Sequence, residues 1–251
     1  MANPAASIQA LHGQVDYYGL DDGQFECTSS SASVEVNVID APDQNGDIFK
    51  SDIAQIGGSI EATYSCKCLP SGGTALVLPE LGNIVTPDAG ELPPALAGWS
   101  FLVDGWTITT AAGAMPTVSL NASGISTTCR GPAYGPLAFT GTIKPRSGAQ
   151  MLDSCATING EGVVLSGATY TASGDTVTAP GQTGKVIAAD FTAGVVTAAL
   201  TLQQTEDGKP PAVTAGAGWE ITEPLAVSGS AGEWTEWTVT LRKRLKKPAT
   251  P

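Results

Sequence analysis

Apolar and polar residues alternate one by one along much of this chain. Val34, Val36 and Val38 interleave with Ser33, Glu35 and Asn37. Trp106, Ile108 and Thr110 interleave with Thr107 and Thr109, and Trp237, Val239 and Leu241 with Thr238 and Thr240. A period of two puts successive side chains on opposite faces of a strand. Each run therefore predicts a strand with one apolar and one polar face, as in an antiparallel sheet solvated on one side. Asp52 to Cys66 is less regular, since Ile53, Ile56, Ile60 and Tyr64 fall at near-helical spacing. Gly57 and Gly58 in its middle would each cost a helix about 1 kcal/mol relative to Ala, so strand is the preferred reading. Asp190 to Leu202, with Val195, Val196, Leu200 and Leu202, reads as strand without that ambiguity.

The pattern also repeats. Ile39-Asp-Ala-Pro-Asp-Gln-Asn-Gly-Asp-Ile48 matches Val177-Thr-Ala-Pro-Gly-Gln-Thr-Gly-Lys-Val186, with Ala41, Pro42, Gln44 and Gly46 aligned on Ala179, Pro180, Gln182 and Gly184. Asp52 and Asp190 continue the match, and after a short deletion Gly58 aligns with Gly194. Gly98-Trp99 then matches Gly218-Trp219, and Thr117-Val-Ser-Leu120 matches Thr238-Val-Thr-Leu241. Landmarks in one order across both halves predict an internal duplication. Within the repeated motif, Pro fixes φ and Gly supplies a positive φ, as a turn between two strands requires. The expected architecture is all-β, with two tandem β-sandwich-like domains. The first spans 1–130 with an N-terminal arm, and the second spans 131–251 with a basic C-terminal tail. Their boundary is placed near the turn-rich Gly131-Pro-Ala-Tyr-Gly-Pro136.

Composition agrees with strands joined by tight turns. Among 251 residues there are 30 Gly and 17 Pro, and charged residues reach only 14%, against about 25% in ordinary soluble domains. The formal charge is −12. Arg242, Lys243, Arg244, Lys246 and Lys247 crowd the C-terminus, and setting aside their five positive charges leaves the rest at −17. Such a body repels phosphate, which excludes an ordinary nucleic-acid-binding surface. It suits a wall that must not hold DNA, a face that meets a basic partner, or plain solubility. The basic run itself could touch an anionic surface or dock on an acidic neighbouring copy. No aromatic residues interleave with it, which favours docking. Cys27, Cys66, Cys68, Cys129 and Cys155 are odd in number, and no basic-then-apolar leader precedes them. The expectation is reduced thiols in a protein made in a cytoplasm. No run of about 18 apolar residues is present, so no membrane span is expected.

Candidate chemistry is sparse. His12 is the only histidine, so any Ser-His-Asp or Cys-His site would have to use it. An exposed or interfacial histidine is the simpler reading. Cys66-Lys-Cys68 could place two thiols on one strand face, but a structural zinc needs four ligands and the other cysteines are scattered. Asp43-Gln-Asn-Gly-Asp47 resembles half a calcium loop, yet the matching Gly181-Gln-Thr-Gly-Lys185 has lost both carboxylates and kept the turn residues. A turn is the preferred reading. Glu35, Glu61, Asp104 and Glu220 fall on or near strands and, on alternation, face solvent. No catalytic residue, cofactor site or metal site is assigned, and no enzymatic activity is expected.

The Ala-Pro-x-Gln-x-Gly turn, the Gly-Trp ahead of the final strand and the closing Trp237-Thr-Val-Thr-Leu-Arg-Lys-Arg244 run resemble the small β-sandwich domains of tail-tube proteins of tailed bacteriophages. The resemblance is one of layout across both halves. It implies a virion protein synthesised in a host cytoplasm, self-assembling into stacked trimeric rings with other virion proteins. DNA would pass through the channel without specific binding. A helix flanking each sandwich, usual in tube domains, is not evident. The alternatives are a capsid decoration protein, a baseplate component or a fibre. A carbohydrate-binding module would instead use Trp99, Trp106, Trp219, Trp234 and Trp237, although recurrence of the Gly-Trp pair in both halves points to core packing.

Overall fold

The computed structural model describes residues 25–66, 76–77, 81–82, 84–85, 96–126, 142–143, 149, 151, 155–204 and 209–245. Thirteen strands occur among them: β1 (Phe25–Pro42), β2 (Ile48–Cys66), β3 (Leu76–Val77), β4 (Ile84–Val85), β5 (Ser100–Ala111), β6 (Thr117–Ile125), β7 (Thr142–Ile143), β8 (Ala156–Asn159), β9 (Val163–Pro180), β10 (Val186–Gln204), β11 (Ala212–Ala215), β12 (Trp219–Ser228) and β13 (Thr235–Leu245). The all-β expectation holds, and Asp52–Cys66 is strand. The proposed boundary near Gly131 lies outside the described residues.

One antiparallel sheet carries the chain, in the order β1-β2-β6-β5-β9-β10-β13-β12, with β4 pairing β5. Its first four strands, β1-β2-β6-β5, and its last four, β9-β10-β13-β12, run through the same order. The hairpins agree in finer detail. In β1–β2 the pairing skips Phe49 and Ala54, and in β9–β10 it skips Ile187 and Thr192. Each of these bulges sits 138 residues from its counterpart, the offset that aligns the Ala-Pro-x-Gln-x-Gly motifs. The two four-stranded units are not separate sheets. They join edge to edge through β5 and β9, from Gly105 opposite Ser173 to Ala111 opposite Gly167.

Register explains which side is buried. Tyr64, Val118, Ile108, Tyr170, Ala198 and Leu241 lie in one row across six strands, each opposite the next. All six are buried. Ala62, Leu120, Trp106, Ala172 and Val196 form the adjacent row, also buried, so one core spans both units. Cross-strand neighbours on one face are the packing unit of a sheet, and the alternating sequence supplies one at each position.

The sheet bends over itself at the end of β9–β10. Ile56 N–H donates to Gly184 O at 2.7 Å, and Ser126 N–H donates to Val186 O at 2.8 Å. The tip of the second hairpin thereby meets the chain just after β6 and takes the free edge of β2, where Ile56 and Lys185 form a parallel bridge. The Gly-Trp pairs are the same tight turn in both units. Gly98 has φ 77° and Gly218 φ 78°, while Trp99 N–H and Trp219 N–H each reach back three residues at 3.0 Å.

Candidate assembly surfaces

The face opposite the core is built from hydroxyls. Ser29, Thr63, Ser119, Thr107, Thr171 and Thr197 stand opposite one another in a row across β1, β2, β6, β5, β9 and β10. Thr63 and Ser119 hydroxyls are 3.4 Å apart, and Thr107 Oγ1 donates to Thr171 Oγ1 at 3.5 Å. The next row holds Glu26, Ser65, Thr117, Thr109, Thr169 and Ala199. Neither row contains Lys or Arg until the sheet reaches β13. Over these two rows, short of β13, the sheet therefore offers weak, neutral hydrogen-bonding groups, the Glu26 carboxylate and no anchor for phosphate.

Cations enter at β13, where the first part of the predicted basic tail is strand. Arg242 stands opposite Thr197 on one side and Glu220 on the other, and Arg244 opposite Val195. Lys243 points to the other face, with Nζ 5.7 Å from the centroid of the Trp219 ring. Alternation thus splits the three charges between two faces. Arg244 is exposed and Arg242 part-exposed, beside Glu223 and Asp175. Lys246 and Lys247 lie outside the described residues.

The two hairpins make the sharpest contrast. Their turns carry the same hydrogen bonds: Asp43 N–H to Asp47 O at 2.7 Å in the first, and Gly181 N–H to Lys185 O at 2.8 Å in the second. In the first, Asp43 Oδ1 also accepts the Asn45 and Asp47 amides at 2.8 and 3.0 Å. That carboxylate braces the turn, in line with the turn reading of this segment. Asp43→Ala is expected to remove about 0.5–1.5 kcal/mol of local stability. Hydrogen exchange at the Asn45 and Asp47 amides should then accelerate by up to about tenfold, with no response to millimolar calcium in either protein.

The apolar side of β1 departs from the expectation drawn from alternation. Val34, Val36 and Val38 share a face as predicted, but that face is bare, and Val36 is 52% exposed. Ile48 and Ile53 extend the same exposed stripe. The matching stripe of the second hairpin is covered: Val186 and Ala189 are buried where the tip rests on β2 and β6.

Sites of possible chemistry are dispersed. Among the described residues no group of three or more His, Cys, Asp or Glu could hold a metal ion. His12 and Cys68 lie outside the described residues, and Cys66 ends β2 opposite Phe25. Cys27 and Cys155 are buried thiols in no disulfide, and burial raises the Cys27 pKa. Glu35, Glu61 and Glu220 are exposed as expected. Asp104 is not: a bulge between Val103 and Gly105 tucks it into the sheet, where it accepts a hydrogen bond from Ser123 Oγ.

Burial raises the Asp104 pKa above the ordinary carboxylate value, the Ser123 bond opposing in part. A carboxyl with a raised folded-state pKa contributes stability at low pH and loses it as pH rises through that pKa. Asp104→Asn has no such loss. Its melting temperature relative to wild type is therefore expected to rise between pH 3.5 and pH 7, and a constant difference would refute the assignment. The tryptophans are no better candidates for a ligand groove. Trp99, Trp106 and Trp219 are buried, Trp237 Nε1 donates to Gln204 Oε1 at 3.2 Å, and Trp234 alone is exposed. No protein-family model matches the sequence, and a comparison with characterised proteins likewise finds no match.

Proposed function

We propose that this chain is a structural assembly subunit of a virion, a tail-tube protein of a tailed bacteriophage whose rings stack around a DNA channel. The observation that carries the reading is the edge-to-edge union of two like four-stranded units, β1-β2-β6-β5 and β9-β10-β13-β12, in one chain. Among the described residues that union leaves β1 and β12 as open edges, the counterparts of the two edges joined inside the molecule. A contact made once between like units can be made again between chains. Heterologous repetition of that kind closes into a ring or propagates as a filament.

The hydroxyl face supports a channel wall. A wall poor in Lys and Arg has few counterion-releasing contacts with phosphate, so DNA would pass without being held. With two units per chain, three chains would give a ring of pseudo-sixfold symmetry. The test is negative-stain microscopy of the purified chain over a range of salt and protein concentration. Rings or tubes with a central channel are the expected result. A monomer under every condition would sink the proposal, and particles that assemble only on capsid lattices would replace it with the decoration role.

A further inference from the structure

We infer that the β1–β2 hairpin is a docking arm that seats on the β10–β13 end of a second copy of this chain, as the β9–β10 hairpin seats on β2 and β6 within one chain. The inference rests on the self-assembly part of the proposed function and adds the contact that produces it. The two hairpins share their turn motif, their turn hydrogen bonds and both bulges, yet one is covered and the other bare. Ile48 is 59% exposed, while its counterpart Val186 is 1% exposed. Gly46 has open space around it, whereas a Cβ on Gly184 would lie 3.3 Å from Ile53 O. Val34, Val36, Val38, Ile48 and Ile53 form one exposed apolar stripe on this arm. Contiguous exposed apolar surface of that kind marks an interaction site.

The internal contact specifies the occupant. The second hairpin takes the stretch of β2 edge that β6 leaves free, and it meets the chain just after β6 at Ser126. In the second unit the corresponding places are the β10 edge up to Ala193, which β13 leaves free, and the end of β13 at Leu245. Charge fits as well. The free tip carries exposed Asp40, Asp43 and Asp47, and the receiving end carries Arg242 and Arg244, with Lys246 and Lys247 next in sequence. The covered tip has Lys185 and no carboxylate between Pro180 and Val186. The two tips thus differ in charge as their two receiving ends do. Because arm and receiving end lie on different units, the contact is head to tail.

Sedimentation velocity of the full-length protein tests this with three variants. Ile48→Asp alters the arm at a position exposed in the single chain. Ala193→Glu places a like charge opposite the acidic tip, also at an exposed position. Val164→Asp changes an exposed apolar residue near the start of β9, at the end of that hairpin away from its tip and outside the β1–β2 arm. Wild type and Val164→Asp are expected to sediment as oligomers. Ile48→Asp and Ala193→Glu should associate at least tenfold more weakly, with unchanged circular dichroism. Mixed together, these two variants should form one-to-one dimers, since each retains the half the other lacks. If wild type assembles and either variant assembles equally well, the arm contact is wrong while the assembly reading stands. A mixture that yields no dimer refutes the head-to-tail arrangement. A wild-type protein that stays monomeric overturns both proposals.

Discussion

Trp106→Ala is expected to destabilise the fold by about 3–5 kcal/mol, the usual cost of removing a buried tryptophan from a packed core. Trp106 is 1% exposed. It stands on β5 opposite Leu120 on one side and Ala172 on the other, so it packs at the strand that joins the two units. Neighbours as small as Ala172 cannot swell to fill the volume an indole leaves. The loss compares with a total stability of about 5–15 kcal/mol for an ordinary domain. For a chain of this size it corresponds to a fall in melting temperature of roughly 6–20 °C. Because one core spans both units, the variant should still melt in a single transition. Thermal unfolding followed by circular dichroism checks both points. A loss below about 1 kcal/mol would show that Trp106 does not hold the core. Two separated transitions would show that the units are independent.

Local chemistry made the strands and the paired hairpins legible in the sequence. Val118-Ser119-Leu120 and Val239-Thr240-Leu241 alternate because one face packs and the other is wet, and the structure buries the expected residues. The hairpin turns could be found because a positive φ at Gly46 and Gly184 restricts which residues serve there. Long-range pairing left no such mark. Nothing in β5 or β9 says that they meet each other, so two separate sandwiches and one continuous sheet look alike in sequence. Alternation also shows which side chains share a face, not whether anything covers it. The bare stripe on β1 therefore read as core. Asp104 escaped for a related reason, since a single bulge shifts the period and no residue type announces it. The Arg242-Lys243-Arg244 run reads as a tail by its charge. Yet it continues the alternation of Val239 and Leu241, and the stem of Lys243 near the Trp219 ring is the kind of contact that lets a lysine belong to a strand.

Valine placed at the two equivalent turn glycines should separate the covered hairpin from the bare one. Gly46 has φ 87° and Gly184 φ 77°, so each substitution forces a β-branched residue into the left-handed region. That conformation costs roughly 1–2 kcal/mol in both turns. At Gly46 the cost ends there, because nothing lies within 4 Å of the new Cβ. At Gly184 the side chain also meets the β2 backbone, with Ile53 O at 3.3 Å and Ala54 O at 3.6 Å from the Cβ position. Backbone yields less readily than a side-chain tip, and overpacking adds about 1–3 kcal/mol. Gly184→Val is therefore expected to lose about 2–5 kcal/mol in urea unfolding of the monomer, clearly more than Gly46→Val. Equal losses would mean that the second tip does not press on β2. Association should reverse the order of the two sites. A side chain at Gly46 sits where the proposed contact would bring the next copy's β10 edge, so Gly46→Val should weaken assembly well beyond its small effect on folding. Gly184→Val, whose tip is already occupied within its own chain, should weaken assembly only in proportion to the folded protein it leaves.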